Sequence, residues 1–258
     1  MRRQIAALAV LAQNTFRGLV RRQSLLNVAI LGVGLVLLAL VVSSISYGFP
    51  ARILRSLGLS GVGIALNLLA LLLGASLVSE EMQQRTLYLV LTRPVGRGSY
   101  VVGRFLGAAA VVACASVGFY GVLLAVLWGV EAGWQSADAL AVGFMTLEAT
   151  VLLAFATLMS CLTTPLLATG LGLGFWVISA SIDDVRRLLA SAEGIVVPII
   201  EAARWVVPSF HVLNYRNVAV YGDPVNLGGV AAAAGHGLTY AVALVALAAF
   251  ALSRRELG

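Results

Sequence analysis

Glu80, Glu81, Arg85, Arg93, Arg97 and Arg104 put six ionisable side chains within 25 residues of a 258-residue chain of which only 11% is charged. Carboxylates and guanidinium groups at these spacings suit docking through ion pairs and hydrogen bonds rather than the making of covalent bonds. Glu81 and Arg85 stand four residues apart with the acid first, the favourable order on a helix face. Pro94 disfavours helical backbone at Arg93, so the helix stops near Thr92, and Ser99 is placed to cap the next one. On either side lie Gly61–Val78 and Tyr100–Trp128, each apolar and long enough to cross a bilayer. A charged island between two spans must sit in water. The spacing therefore predicts a rigid handle outside the membrane over 79–99, built for a soluble partner to grip.

The remaining chemistry-bearing residues exclude most enzyme classes. All 17 basic residues are arginine; without lysine there is no phosphate-binding loop ending in Lys-Ser/Thr, so any ATP hydrolysis falls to another polypeptide. There is no His-Glu-x-x-His, nor a serine with a histidine at matching depth. No catalytic residue is expected, and the chain by itself is not an enzyme. Two cysteines, two histidines and four methionines are scattered along it, which predicts no metal site and no cofactor. Cys114 falls inside the third span and Cys161 at the inner end of the fourth, on the order of 20 Å apart in depth, too far for a disulfide.

Glu148 is the carboxylate inside a span, and His236 lies at a comparable depth in the last one, roughly 10–14 Å below the outer surface. An unpaired charge there costs a few kcal/mol, and such groups face the bundle interior. Three readings stand: a structural hydrogen bond to a residue such as Thr150, a lining of the substrate path by Glu148 and His236, or a direct Glu148–His236 contact.

The elements that position these residues follow from hydrophobicity. With 60% apolar residues, the chain is a polytopic membrane protein rather than a soluble one. Its net charge of +6 marks arginine gathered at one membrane face, not a nucleic-acid partner. Six spans are expected: Leu25–Val42, Gly61–Val78, Tyr100–Trp128, Ala139–Leu158, Leu166–Ala180 and Gly229–Leu252. Ala51–Ser60 and the stretch carrying Glu131 and Asp138 read as external loops. On this assignment eleven arginines lie inside and six outside, which sets both termini in the cytoplasm. In residues 1–22, Ile5, Leu8, Ala12, Phe16 and Leu19 form one stripe, with Gln13, Arg17 and Arg21 opposite. That pattern predicts an interfacial amphipathic helix on the inner leaflet, the alternative being a basic tail that only orients the first span. Residues 181–226 form an external segment, with a short polar helix over Asp183–Ala192. Ile195–Val207 is too short to span and dips into the outer leaflet with Trp205 at headgroup level. Small residues at four-residue spacing (Gly103 and Gly107, Gly170 and Gly174, Gly229, Ala233 and Gly237) allow helices to approach closely. The fold class is an all-α membrane protein with one domain over 1–258.

Glu80-Glu81, Arg85-Thr86, the hydrophobic run, Thr92-Arg93-Pro94-Val95 and Gly103-Arg104 together resemble the ABC-2-type permeases, the membrane subunits of ATP-driven exporters. The likeness extends to Asn14-Thr15-Phe16-Arg17, Leu57-Gly58-Leu59, Asn217–Gly222 and Arg254-Arg255-Glu256-Leu257. It is strongest to the branch labelled as multi-copper enzyme maturation, which includes the nitrous oxide reductase maturation permease. The resemblance implies a permease in the inner membrane of a prokaryote, surrounded by lipid, paired with a second permease copy and two ATP-binding cassette ATPase subunits. It makes the N-terminal amphipathic helix an elbow, and Glu80, Glu81, Arg85, Thr86, Tyr88, Leu91, Arg93 and Pro94, with Arg17 of that elbow, the ATPase-coupling interface. It also turns the pieces before the last span into re-entrant helices over the outward end of the path. A membrane scaffold for maturation of an extracytoplasmic enzyme, without a path of its own, is the alternative.

The arginine count carries a direct test. In intact cells Ala190→Cys is expected to react with an impermeant maleimide and Arg97→Cys to be protected, whereas reversed labelling contradicts the six-span orientation.

Overall fold

The computed structural model describes residues 2–45, 49–80, 97–188 and 207–254. Every regular element among them is helical. In chain order these are α1 (Arg2–Val20), α2 (Gln23–Ile45), α3 (Pro50–Ser76), α4 (Arg97–Gly129), α5 (Ser136–Leu162), α6 (Pro165–Leu188), a 3-10 turn (Phe210–Leu213), α7 (Arg216–Tyr221) and α8 (Leu227–Arg254). Six of these, α2 to α6 and α8, are long and apolar enough to cross a membrane. The six expected spans are all present.

Their boundaries differ in two places, and charge is the reason both times. Ala51–Ser60, expected as an external loop, is the start of α3, with Pro50 at its first position, where a missing N–H costs nothing. The helix carries Arg55 inward because Asp138 receives it: the two form an ion pair at 3.2 Å, with side chains 6% and 0% exposed. Likewise Asp183 and Asp184 do not open a separate helix but continue α6 to Leu188. Asp183 accepts a hydrogen bond from Ser209 Oγ, so it is held by protein and breaks nothing. Ser99 lies inside α4, which begins at Arg97. The expected dipping segment over 195–207 lies outside the described residues up to 206.

α3 and α5 form the centre. Each is buried along most of its length, while α2, α6 and α8 keep broad apolar faces outward. The two central helices run parallel in a fixed register. Asn67 Nδ2 donates to Glu148 Oε1 at 2.8 Å, 81 residues on. The backbone N–H groups of Val78 and Ser79 donate to Ser160 Oγ at 2.9 and 3.1 Å, 82 and 81 residues on. Arg55 and Asp138 complete the set at the opposite end. Between rungs, small residues let the backbones close up. A Cβ on Gly74 would lie 2.7 Å from Ala156 Cβ and 2.8 Å from Leu153 O.

α1 packs along α4, where the expected small pair receives it. A Cβ on Gly103 would meet Leu11 Cβ at 2.9 Å, and one on Gly107 the Ala12 carbonyl at 2.5 Å. Leu11, Phe16 and Leu19 join the core, and Gln13, Arg17 and Arg21 are exposed. The apolar stripe thus covers another helix. Gly237 is likewise filled by Leu147 and Leu213, but Gly170 and Gly174 have nothing within 4 Å.

The Gly74 contact yields a prediction. Overpacking of this kind costs about 1–3 kcal/mol, more than the ~1 kcal/mol a helix gains from Gly→Ala. Gly74→Ala should therefore lower the melting temperature of the detergent-solubilised chain, while Gly118→Ala, with nothing within 4 Å, leaves it unchanged or raised.

Candidate functional site

Four elements converge on Glu148. α5 supplies the carboxylate, which is 5% exposed. α3 supplies Asn67, α6 supplies Trp176, which lines the cleft beside the carboxylate, and α7 supplies Arg216, with Nη2 at 3.9 Å from Oε2. Gly63 makes room for that arginine, since a Cβ there would come within 2.9 Å of Arg216 Nη2. Tyr215 helps to seat α7 by stacking on Phe144 at 4.2 Å. Beside the carboxylate a cleft of about 360 Å³ opens between α3, α5, α6, the 3-10 turn and α7. Its wall follows α6 from Trp176 to Asp184, about 12 Å along the axis.

The two sequence candidates for this region are not brought together. Glu148 accepts a hydrogen bond from Asn67 and lies 3.9 Å from Arg216. His236 instead sits on α8 against Tyr240, with ring centroids 4.9 Å apart, and its buried Nε2 has no hydrogen-bond partner among the described residues. Thr150, the expected partner of Glu148, donates to the Thr146 carbonyl at 2.7 Å. Sequence reasoning placed Arg216 in an external loop and overlooked Asn67. The signal was an asparagine alone in an apolar run of α3.

A second polar cluster lies at the opposite end of α5 from Ser160. Besides Arg55, Asp138 Oδ2 accepts from Tyr120 Oη at 3.1 Å and from the Gln135 N–H at 3.2 Å. Arg55 Nη2 reaches the Gly133 carbonyl at 2.9 Å. One buried ion pair therefore fixes α3, α4, α5 and the turn between α4 and α5, where Glu131 and Gly133 take left-handed backbone.

At the end of α3 the chain enters the charged island, of which Glu80 is the last described residue before 97. Glu80 is gripped by both arms of Arg22, whose Nη1 donates to Oε1 at 3.1 Å and also to Ser76 Oγ at 3.1 Å. On the far side of the island, Arg104 Nη2 donates to the Leu77 carbonyl at 3.0 Å, with its guanidinium 5.8 Å from the Tyr100 ring. The end of α3, where the island begins, is thereby fastened to α4, which follows the island, and to Arg22. Arg17 is exposed on α1. Glu81, Arg85, Thr86, Tyr88, Leu91, Arg93 and Pro94 lie outside the described residues.

Residues 33–257 match the family described as ABC-2 family transporter protein. The chain belongs to the ABC-2 transporter family. This ABC-2 permease is also similar to the probable ABC transporter permease protein NosY of Stutzerimonas stutzeri, 34% identical over 182 residues. That alignment takes in 64% of this chain and 63% of the relative's own length. Family membership and six membrane-length helices make the chain a multi-pass transporter permease.

Removing one partner of a buried ion pair costs about 3–5 kcal/mol because the other charge is left behind. Arg55→Met should accordingly destabilise the permease by that order in a denaturant titration in mild detergent. Arg52→Met, at an exposed position, should cost less than about 1 kcal/mol, and Arg55→Met with Asp138→Leu should recover most of the loss.

Proposed function

We propose that this permease is the membrane subunit of an ATP-binding cassette exporter, working as a pair of permease copies with two separate ATPase subunits in the inner membrane of a prokaryote. Both termini and the island at 79–99 face the cytoplasm. Glu80, Glu81, Arg85 and Thr86 dock into a groove of the ATPase, with Tyr88 and Leu91 packing there, Arg93-Pro94 fixing the exit and Arg17 touching the same partner. ATP-driven closure of the ATPases pushes on this handle, and the push enters the bundle at its roots. Glu148 and His236 line the substrate path.

The observation that carries this reading is the fastening of the island's root at the end of α3. Arg22 on Glu80 and Arg104 on the Leu77 carbonyl tie that root to the link between α1 and α2 and to α4, which follows the island. Ser160 ties the same turn to α5. A solvated loop without a partner needs no such anchorage, whereas a lever does. Family membership supports the same reading.

Reversing charge at Glu81 separates lever from loop by magnitude. An exposed helical pair is worth about 0.3–0.5 kcal/mol, while a charge pair truncated in an interface costs about 2–5 kcal/mol. Glu81→Arg is expected to leave membrane expression near wild type and to lower co-purification of the ATP-binding protein in mild detergent at least tenfold. A variant that still recruits a fully stimulated ATPase contradicts the docking assignment.

A further inference from the structure

The cleft beside Glu148 presents charges of both signs in an ion pair too long to be a hydrogen bond, with Glu148 and Arg216 3.9 Å apart. The carboxylate takes its short bond from Asn67, while Arg216, which borders the cleft and is 24% exposed in its side chain, retains its fork of donors. Behind the carboxylate, Asn67 is 1% exposed and its buried Oδ1 has no donor among the described residues. At the mouth the same balance recurs: Asp184 stands 4.0 Å from Arg187, and Arg187 contacts His211 Nε2 at 2.7 Å. Ile64, Trp176 and Phe210 supply apolar wall between these levels.

This pattern selects a ligand by charge. A simple anion drawn to Arg216 meets the Glu148 carboxylate, and a simple cation drawn to Glu148 meets the guanidinium. Like charges at such distances repel strongly away from bulk water. A molecule with an ammonium and a carboxylate close together meets both with favourable sign. We propose that the cleft binds a small zwitterion of the amino-acid or short-peptide class, its ammonium at Glu148 beside the Trp176 ring and its carboxylate at Arg216 and Asn214. An aromatic face adds to the attraction for the ammonium. A volume of about 360 Å³ lies at the lower end of the range of small-molecule sites.

The site does not depend on the coupling reading, because binding is measurable on the full-length chain in nanodiscs without an ATPase. Isothermal titration with dialanine should give saturable binding. N-acetyl-dialanine, which lacks the ammonium, and dialanine amide, which lacks the carboxylate, should each bind at least tenfold more weakly. Glu148→Gln and Arg216→Gln should each weaken dialanine binding at least tenfold. Ile64→Trp, which fills the cleft from a partly exposed position and leaves every charge in place, should abolish it and keeps the test valid if a charge variant fails to fold. Equal binding of a blocked peptide, full affinity in a folded charge variant or in Ile64→Trp, or no binding of dialanine to the wild-type chain overturns the proposal.

Discussion

The hydrogen bond from Asn67 to Glu148 is the middle rung of a ladder that holds α3 and α5 parallel. Inside lipid, apolar surface gains little by facing another helix, so packing and polar contacts decide how two helices align. Here three polar levels share nearly the same offset, set by Arg55–Asp138, Asn67–Glu148 and the Val78 and Ser79 amides on Ser160. Sliding one helix by a turn would break all three levels together and cost a buried arginine, two buried carboxylates and two amide donors a partner each. Each loss alone is expensive in a low-dielectric interior. The register is therefore the most strongly determined feature of the bundle.

Other parts of the permease are placed by that register. The Ser160 rung sits where α3 ends and the charged island begins, so the island leaves from the central pair rather than from a peripheral span. Arg22, in the link between α1 and α2, and Arg104 of α4 then bind that same junction. The middle rung sets the floor of the cleft, with Gly63 one turn away admitting Arg216. The outer rung holds the turn between α4 and α5 through Gly133. Under the proposed mechanism, a push on the island is carried by α3 and α5 as one body, and the peripheral helices move against it.

Much of this architecture was legible in the sequence because apolar run length reports spans directly. Gly103 and Gly107 likewise marked a close approach, though not that α1 is the helix received there. What could not be read were the partners of buried charges. Arg55, Asp138 and Asp183 look like loop residues when charge is equated with water, and that equation misplaced the start of α3 and the end of α6. Asn67 and Glu148 are 81 residues apart, so no local pattern links them, and Thr150 was a natural but mistaken choice because it lies on the same helix. Arg22 read as part of a basic surface, yet its carboxylate partner is 58 residues away. Side-chain pairing across helices is set by three-dimensional register, which hydrophobic periodicity does not encode.

A cysteine pair placed on the ladder tests the rigid central pair most directly. Leu71 and Leu152 share a buried cluster between α3 and α5 at the same offset as the rungs. The account predicts that Leu71→Cys with Leu152→Cys, in a chain with Cys114 and Cys161 replaced, forms a disulfide on oxidation. It further predicts that ATP hydrolysis by the assembled transporter continues at the rate of the reduced form, because the two helices do not move relative to each other. Absence of the cross-link, or hydrolysis that stops on oxidation and returns on reduction, would contradict it.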